Sequence, residues 1–138
     1  MPRPLRLNPD RLFPAEPSVR AVARRLYGLT KDLPILSPHG HTDPEWFAGD
    51  APFPNATELL LAPDHYLYRM LYSQGLPLEA LGVPSRKGPS AADPRAAWRS
   101  FAGRQHLFRG TPSAMWLGHV FAEVFGFDVA LSGETADL

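Results

Sequence analysis

Along most of the chain apolar residues recur at helical spacing, and almost nowhere at the two-residue spacing of a strand. From Pro17, the positions Val19, Val22, Leu26 and Leu29 follow a helical period, with Arg20, Arg24 and Arg25 on the other side. The run Leu33-Pro34-Ile35-Leu36-Ser37-Pro38 is short, apolar and bounded by prolines. It predicts one clear strand over about 33–41, leading into His39-Gly40-His41. Asp43-Pro44 is a helix-start signature, an N-cap followed by proline in the first helical position, and a short turn through Trp46 and Phe47 should follow. Asn55 can cap a short helix over 56–61. Pro63-Asp64 opens another through His65, Tyr66, Leu67, Met70 and Leu71, closed by Gly75. The stretch around 82–92 reads as a loop. Asp93-Pro94 predicts a helix carrying Trp98 and Phe101 to about Phe108. Thr111-Pro112 opens a last one, with Leu117, Val120, Phe121, Val124 and Phe125 at helical spacing before Gly126. Residues 1–16 are proline-broken and irregular, and Ser132 to Leu138 resembles the beginning of another element.

A lone strand is unsatisfied, because its backbone donors and acceptors need a neighbour. Either the fold is helical with one odd extended segment, or the partner strands lie outside this sequence.

Composition narrows the class. The chain has 138 residues, 44% hydrophobic and 20% charged, which is globular rather than disordered and fits one domain. Fourteen basic residues balance fourteen acidic ones, so nothing marks a nucleic-acid or anionic-membrane footprint. With no cysteine, disulfides, thiolate metal sites and cysteine nucleophiles are excluded. No apolar run has the length of a membrane span, and the start lacks the apolar stretch of a secretory signal, so a cytoplasmic location is the expectation. Sixteen prolines and eleven glycines are scattered, which suits many short elements joined by turns. There is no phosphate-cradling glycine loop, no nucleophile elbow and no dinucleotide fingerprint.

Candidate chemistry sits at two places. Residues two apart on a strand share a face, so His39 and His41 project together, and two neutral imidazoles are half of a divalent metal site. Gly40 between them lets the backbone turn tightly. The plain alternative is a solvated pair in a loop. Asp43 is a conceivable third ligand, but its place before Pro44 makes capping the simpler account. His65 and Tyr66 open a helix behind Asp64. Either Asp64 caps and the two rings pack, or an imidazole and a phenol are presented to hydrogen-bond a polyhydroxylated ligand and shuttle a proton. Tyr68 and Tyr72 read as a packing face, Arg69 as solvated, and His106 and His119 as core or interface histidines. A helical core of Trp98, Phe101, Phe108, Trp116, Val120, Phe121 and Phe125 is expected.

The segment Pro34-Ile35-Leu36-Ser37-Pro38-His39-Gly40-His41-Thr42-Asp43-Pro44, followed by Trp46-Phe47, resembles the first-strand segment of the uronate (glucuronate) isomerases of the amidohydrolase superfamily. Asn55 through Met70, containing Ala62-Pro63-Asp64-His65-Tyr66, resembles the same family's next block, and Trp116-Leu117-Gly118-His119-Val120-Phe121 through Gly126 a third. The resemblance runs in order from about Arg11 to the end. It implies an α/β fold: the N-terminal part of a distorted (β/α)8 metal-dependent hydrolase-like barrel, mostly helical here. Residues 1–138 would comprise a lead-in helix, the first barrel strand at about 33–41 and an inserted helical region at about 43–127. The implied reaction is aldose–ketose isomerisation, D-glucuronate to D-fructuronate and D-galacturonate to D-tagaturonate, through a cis-enediol. By that resemblance His39 and His41 are metal ligands, for a divalent cation expected to be zinc, while His65 and Tyr66 contact substrate and assist proton transfer. It implies a hexuronate partner, no nucleic acid, no membrane, and a homo-oligomer at full length.

A complete barrel takes about 250 residues, more than the 138 present. The remaining metal ligand, an aspartate on the last barrel strand, has no counterpart here, nor has the arginine expected to clamp the substrate carboxylate. Two readings therefore stand beside each other: the N-terminal portion of an isomerase, or a truncated, catalytically silent helical interaction module. A superfamily hydrolase is a third reading, against which the block around His65 argues.

Overall fold

The computed structural model describes residues 2–40, 42–86 and 88–138. They form two compact units: Leu7–Ala51, and Pro52–Leu138 joined by the first six residues. For brevity these are the small and the large unit.

In the small unit, helix α1 (Pro17–Thr30) begins where Pro17 predicts, and the cap is Glu16, whose carboxylate accepts from the backbone N–H groups of Ser18 and Val19. The Ser18 hydroxyl donates to the same carboxylate at 2.6 Å, and with those amides holds it below the usual carboxylate range. Asp10 pairs with Arg24, which also lies 5.1 Å over the Phe13 ring, and Phe13 meets Tyr27 edge-on at 5.8 Å. Helix α2 (Pro44–Gly49) has Asp43 as its N-cap and ends on Asp50 in the left-handed conformation, φ 45°. An aspartate tolerates that conformation better than most residues.

No described residue of the small unit is buried. The expected strand over about 33–41 is not formed among the described residues. Ile35 and Leu36 are 91% and 90% exposed, and the described residues contain only isolated bridges, Pro4 with Val129 and Ser85 with Gly88. A strand exists by pairing, and the bridges found among the described residues do not involve residues 33–40.

The large unit owns the core. A π-helical turn (Thr57–Leu61) starts it, with the Asn55 side chain accepting from the Glu58 N–H and donating to the Glu58 carboxylate. Helix α3 (His65–Ser73) follows, then a 3-10 turn (Leu78–Leu81) closed by Gly82 at φ 82°. A Cβ at Gly82 would also stand 3.2 Å from Thr57 Cγ2, so glycine is required there twice over. Helix α4 (Pro94–Ala102) stops short of the expected Phe108: Gly103 ends it, and 105–108 forms a separate 3-10 turn. Gly133 packs beside Gly103, where a Cβ on Gly133 would lie 3.4 Å from the Gly103 Cα, in ordinary contact. Helix α5 (Pro112–His119) runs into a second π-helical turn, Val120–Val124.

These elements enclose Leu60, Leu61, Leu67, Leu71, Leu81, Ala97, Phe101, Phe108, Leu117 and Phe121. Three of the expected core aromatics are there. Trp98 is partly buried, but Trp116 and Phe125 are 50% and 45% exposed, and leucines supply the rest. The N-terminal strap is fastened by the Leu5 N–H to the Asp128 carbonyl at 2.7 Å and the Ala130 N–H to the Arg3 carbonyl at 2.8 Å. Among the described residues no buried side-chain polar atom lacks a partner.

Candidate functional site

The first candidate cluster lies in the small unit. Ser37 Oγ donates to the His39 carbonyl at 2.6 Å, which folds the chain tightly just before Gly40. His41, the second expected ligand, lies outside the described residues. Asp43 is occupied as the simpler account predicts: its carboxylate accepts from the Glu45 N–H at 3.0 Å and caps α2. A catalytic zinc takes three protein ligands. Among the described residues no group of three or more His, Asp or Glu side chains could hold a metal ion. The described residues therefore do not make a complete metal centre.

The second cluster lies in the large unit and is better defined. Asp64 takes an extended conformation, and its carboxylate accepts from the N–H groups of Tyr66 at 2.8 Å and Leu67 at 3.3 Å. That cap fixes the first turn of α3, and the amphipathic pattern does the rest: Leu67 and Leu71 enter the core, so His65 and Tyr66 are held at its edge. The two rings lie 4.3 Å apart, centroid to centroid, tilted by 32°. Tyr66 is 67% exposed and His65 half-buried. Asp64 caps and the two rings lie against each other, as the packing reading expects, while the phenol is presented outward. Tyr68 packs against the core as expected, whereas Tyr72 is exposed, as is Arg69.

Both His106 and His119 are exposed rather than core residues. His106 sits in the 3-10 turn after Gly103 and lines a hollow of about 480 Å³ together with Arg3, Gln105 and Arg109. His119 closes α5 on the side away from Leu117 and Phe121, which take the core positions.

The sequence reading missed two features. Asp137 binds Arg95 Nε at 2.7 Å and Arg99 Nε at 2.8 Å, pinning the C-terminal turn to α4. The hydrogen bonds from Arg99 and Arg95 hold the Asp137 carboxyl below its ordinary range, and that carboxylate raises Arg95 in turn. The only local signal was the four-residue spacing of the arginines, which puts them on one helix face. The other feature is a groove of about 800 Å³ lined by Phe53, Trp98, Phe121, Phe125, Phe127 and Leu138 among others; His39, His65 and Tyr66 do not line it.

Similarity to known proteins explains how these parts go together. The glucuronate isomerase family model matches residues 18–138. The uronate isomerase of Phenylobacterium zucineum is 76% identical over the whole chain, which spans 29% of that protein's length. The uronate isomerase of Caulobacter vibrioides is 63% identical over 99% of the chain and 28% of its own length. The crystal structure of glucuronate isomerase from Caulobacter crescentus superposes with a TM-score of 0.94 at 63% identity, covering 98% of this chain and 28% of that one. The chain thus spans less than a third of the relatives it matches, and its helical architecture is a part of their fold. On sequence and on structure alike, it belongs to the glucuronate isomerase family.

Proposed function

We propose that this chain is a portion of a uronate isomerase that interconverts aldose and ketose hexuronates, D-glucuronate with D-fructuronate and D-galacturonate with D-tagaturonate. The observation that carries the reading is the 76% identity to a uronate isomerase over all 138 residues. Such a reaction moves a proton between C2 and C1 through an enediol and needs groups that hold sugar hydroxyls and exchange protons near neutral pH. The chain's contribution is His65 and Tyr66. The imidazole accepts or donates a proton, the exposed phenol donates to a hydroxyl oxygen, and the Asp64 cap keeps both on a rigid first turn.

His39 and His41 are assigned as two imidazole ligands of a divalent cation, zinc by expectation. The described residues hold no three-donor cluster. The finer fold reading is a (β/α)8 barrel with 33–41 as its first strand and 43–127 as an inserted helical region. The near-complete exposure of Ile35 and Leu36 supports it, since barrel neighbours would cover them. No helix among the described residues is long and apolar enough to cross a membrane; a cytoplasmic location and a homo-oligomer at full length are part of the proposal.

A helical interaction module is the second reading. It is favoured by the large unit's own core, in which the described buried polar groups are all paired. The deciding experiment is conversion of galacturonate or glucuronate by a family-length polypeptide carrying this chain. Ketose product is expected, and its absence overturns the isomerase assignment. In that polypeptide His65→Ala should lower turnover by about 10²-fold or more, with folding and bound metal unchanged. Unfolding would return the pair to a packing role.

A further inference from the structure

We infer that the aromatic groove of the large unit is an internal docking surface. Its occupant is an apolar segment from the part of the uronate isomerase polypeptide that this chain does not span. The inference rests on the family reading above but concerns a different surface from the His65–Tyr66 turn.

The groove lies between the π-helical turn at Thr57–Leu61, α4, the second π-helical turn and the C-terminal residues. Its wall carries large apolar side chains still open to solvent: Phe53 at 50%, Phe125 at 45%, Phe127 at 42% and Leu138 at 75%. Phe121, Phe125 and Phe127 form a triangle with centroids 6.3–6.4 Å apart, and Trp98 meets Phe121 edge-on at 6.2 Å. One continuous aromatic surface therefore runs from the core out into the groove. A concave apolar surface of that kind is a place for burial, not for water.

The polar lining says what does not belong there. Asn55 is engaged with Glu58, Thr57 donates to the Pro94 carbonyl, and Asp93 accepts from the Arg95 N–H. Thr135 donates to the Ala130 carbonyl, and Arg95 is held by Asp137. Every polar side chain on the wall is thus already committed within the unit. A polyhydroxylated carboxylate needs convergent donors and acceptors and a cation for its charge, and the Arg95 guanidinium on this wall already faces the Asp137 carboxylate. Apolar side chains from polypeptide need only the surface.

The family supplies that polypeptide. This chain covers 28% of the Caulobacter crescentus enzyme at a TM-score of 0.94, so the same arrangement exists there inside a polypeptide of which about seven-tenths lies outside the match. Within such a molecule an open aromatic groove of about 800 Å³ is filled from the same polypeptide rather than by a second copy.

The test uses the absence of cysteine from this chain. Phe125→Cys and Leu138→Cys are made singly in the 138-residue chain and in a chimera in which this chain replaces the matched part of the Phenylobacterium zucineum uronate isomerase. Maleimide labelling at each position is followed by peptide mass spectrometry, with the urea-unfolded chimera as the fully reactive reference. Labelling should be about tenfold or more slower in the folded chimera than in the 138-residue chain, because a covered side chain reacts only when the structure opens. Equal rates overturn the inference. So does protection of the 138-residue chain that rises with its own concentration and a doubled mass while the chimera stays reactive, since the groove is then a contact between copies. Leu138 is three-quarters exposed, so its variant reports even where Phe125→Cys disturbs folding. Uronate conversion by the chimera is read alongside. Ketose without protection overturns the groove alone, and protection without ketose overturns the isomerase reading alone.

Discussion

The two units use helically spaced apolar residues to opposite effect. The large unit sends Leu61, Leu67, Leu71, Leu81 and Phe101 to complete burial. The small unit places Val19, Val22, Leu26 and Leu29 on one stripe of α1, as its periodicity predicts, and leaves each of them about half exposed or more. Helical spacing is therefore a statement about which residues share a face. It does not say whether anything covers that face. One unit is held by its own packing. The other is held by local devices: the Glu16 and Asp43 caps, the Asp10–Arg24 pair and the Phe13–Tyr27 contact. Such devices are screened by solvent at exposed sites and each contributes little beside a packed core.

The largest effect expected from this contrast comes from truncating one side chain in each unit. Phe101→Ala should cost about 3–5 kcal/mol in urea unfolding followed by circular dichroism. Val22→Ala in the same chain should cost less than about 0.5 kcal/mol, since little apolar area is removed from water there. Comparable losses would show that the small unit has a packed interior after all. Next in size is Gly82→Ala, which must hold a side chain at φ 82° against Thr57, and should lower stability by about 1–2 kcal/mol in a thermal melt. An unchanged melting temperature would mean that the turn relaxes freely.

The smallest effect is a pH dependence. Arg99 and Arg95 lower the folded-state value of Asp137 below its ordinary 3.8. Its contribution is therefore fully present above pH 3.8 and fades as the pH falls through the lower, folded value. NMR titration should place the Asp137 midpoint below that of an unstructured aspartate, and Asp137→Asn should remove this part of the acid sensitivity of the C-terminal turn. A normal midpoint would show the two arginine contacts to be transient.

Local signals made part of this legible in advance. Asp43-Pro44, Asp93-Pro94 and Thr111-Pro112 all start helices as written, because a cap and its proline act within three residues. Gly75, Gly82 and Gly126 end elements at positive φ for the same local reason. What escaped was non-local or broke the period. The π-helical turn at Val120–Val124 adds a residue to its turn, so the face that carries Phe121 inward no longer carries Val124 and Phe125 with it. The anchoring of α4 depends on Asp137, far along the chain. At the candidate site the Asp64 cap and the stacked His65–Tyr66 pair could be read from adjacent residues. The histidine pair at 39 and 41 could not be carried as far: a metal centre gathers ligands from distant segments, and spacing along one segment shows only its own share.

The strap that ties Leu5 to Asp128 has a consequence for the order of events during synthesis. The first residues leave the ribosome early, yet their hydrogen-bonding partners emerge about 120 residues later, after every helix of the large unit. Closure of that long loop is entropically the most demanding contact in the unit. Arg3 and Leu5 therefore lack these backbone partners until the large unit's helices have been made, and the contact works as a clasp that closes late.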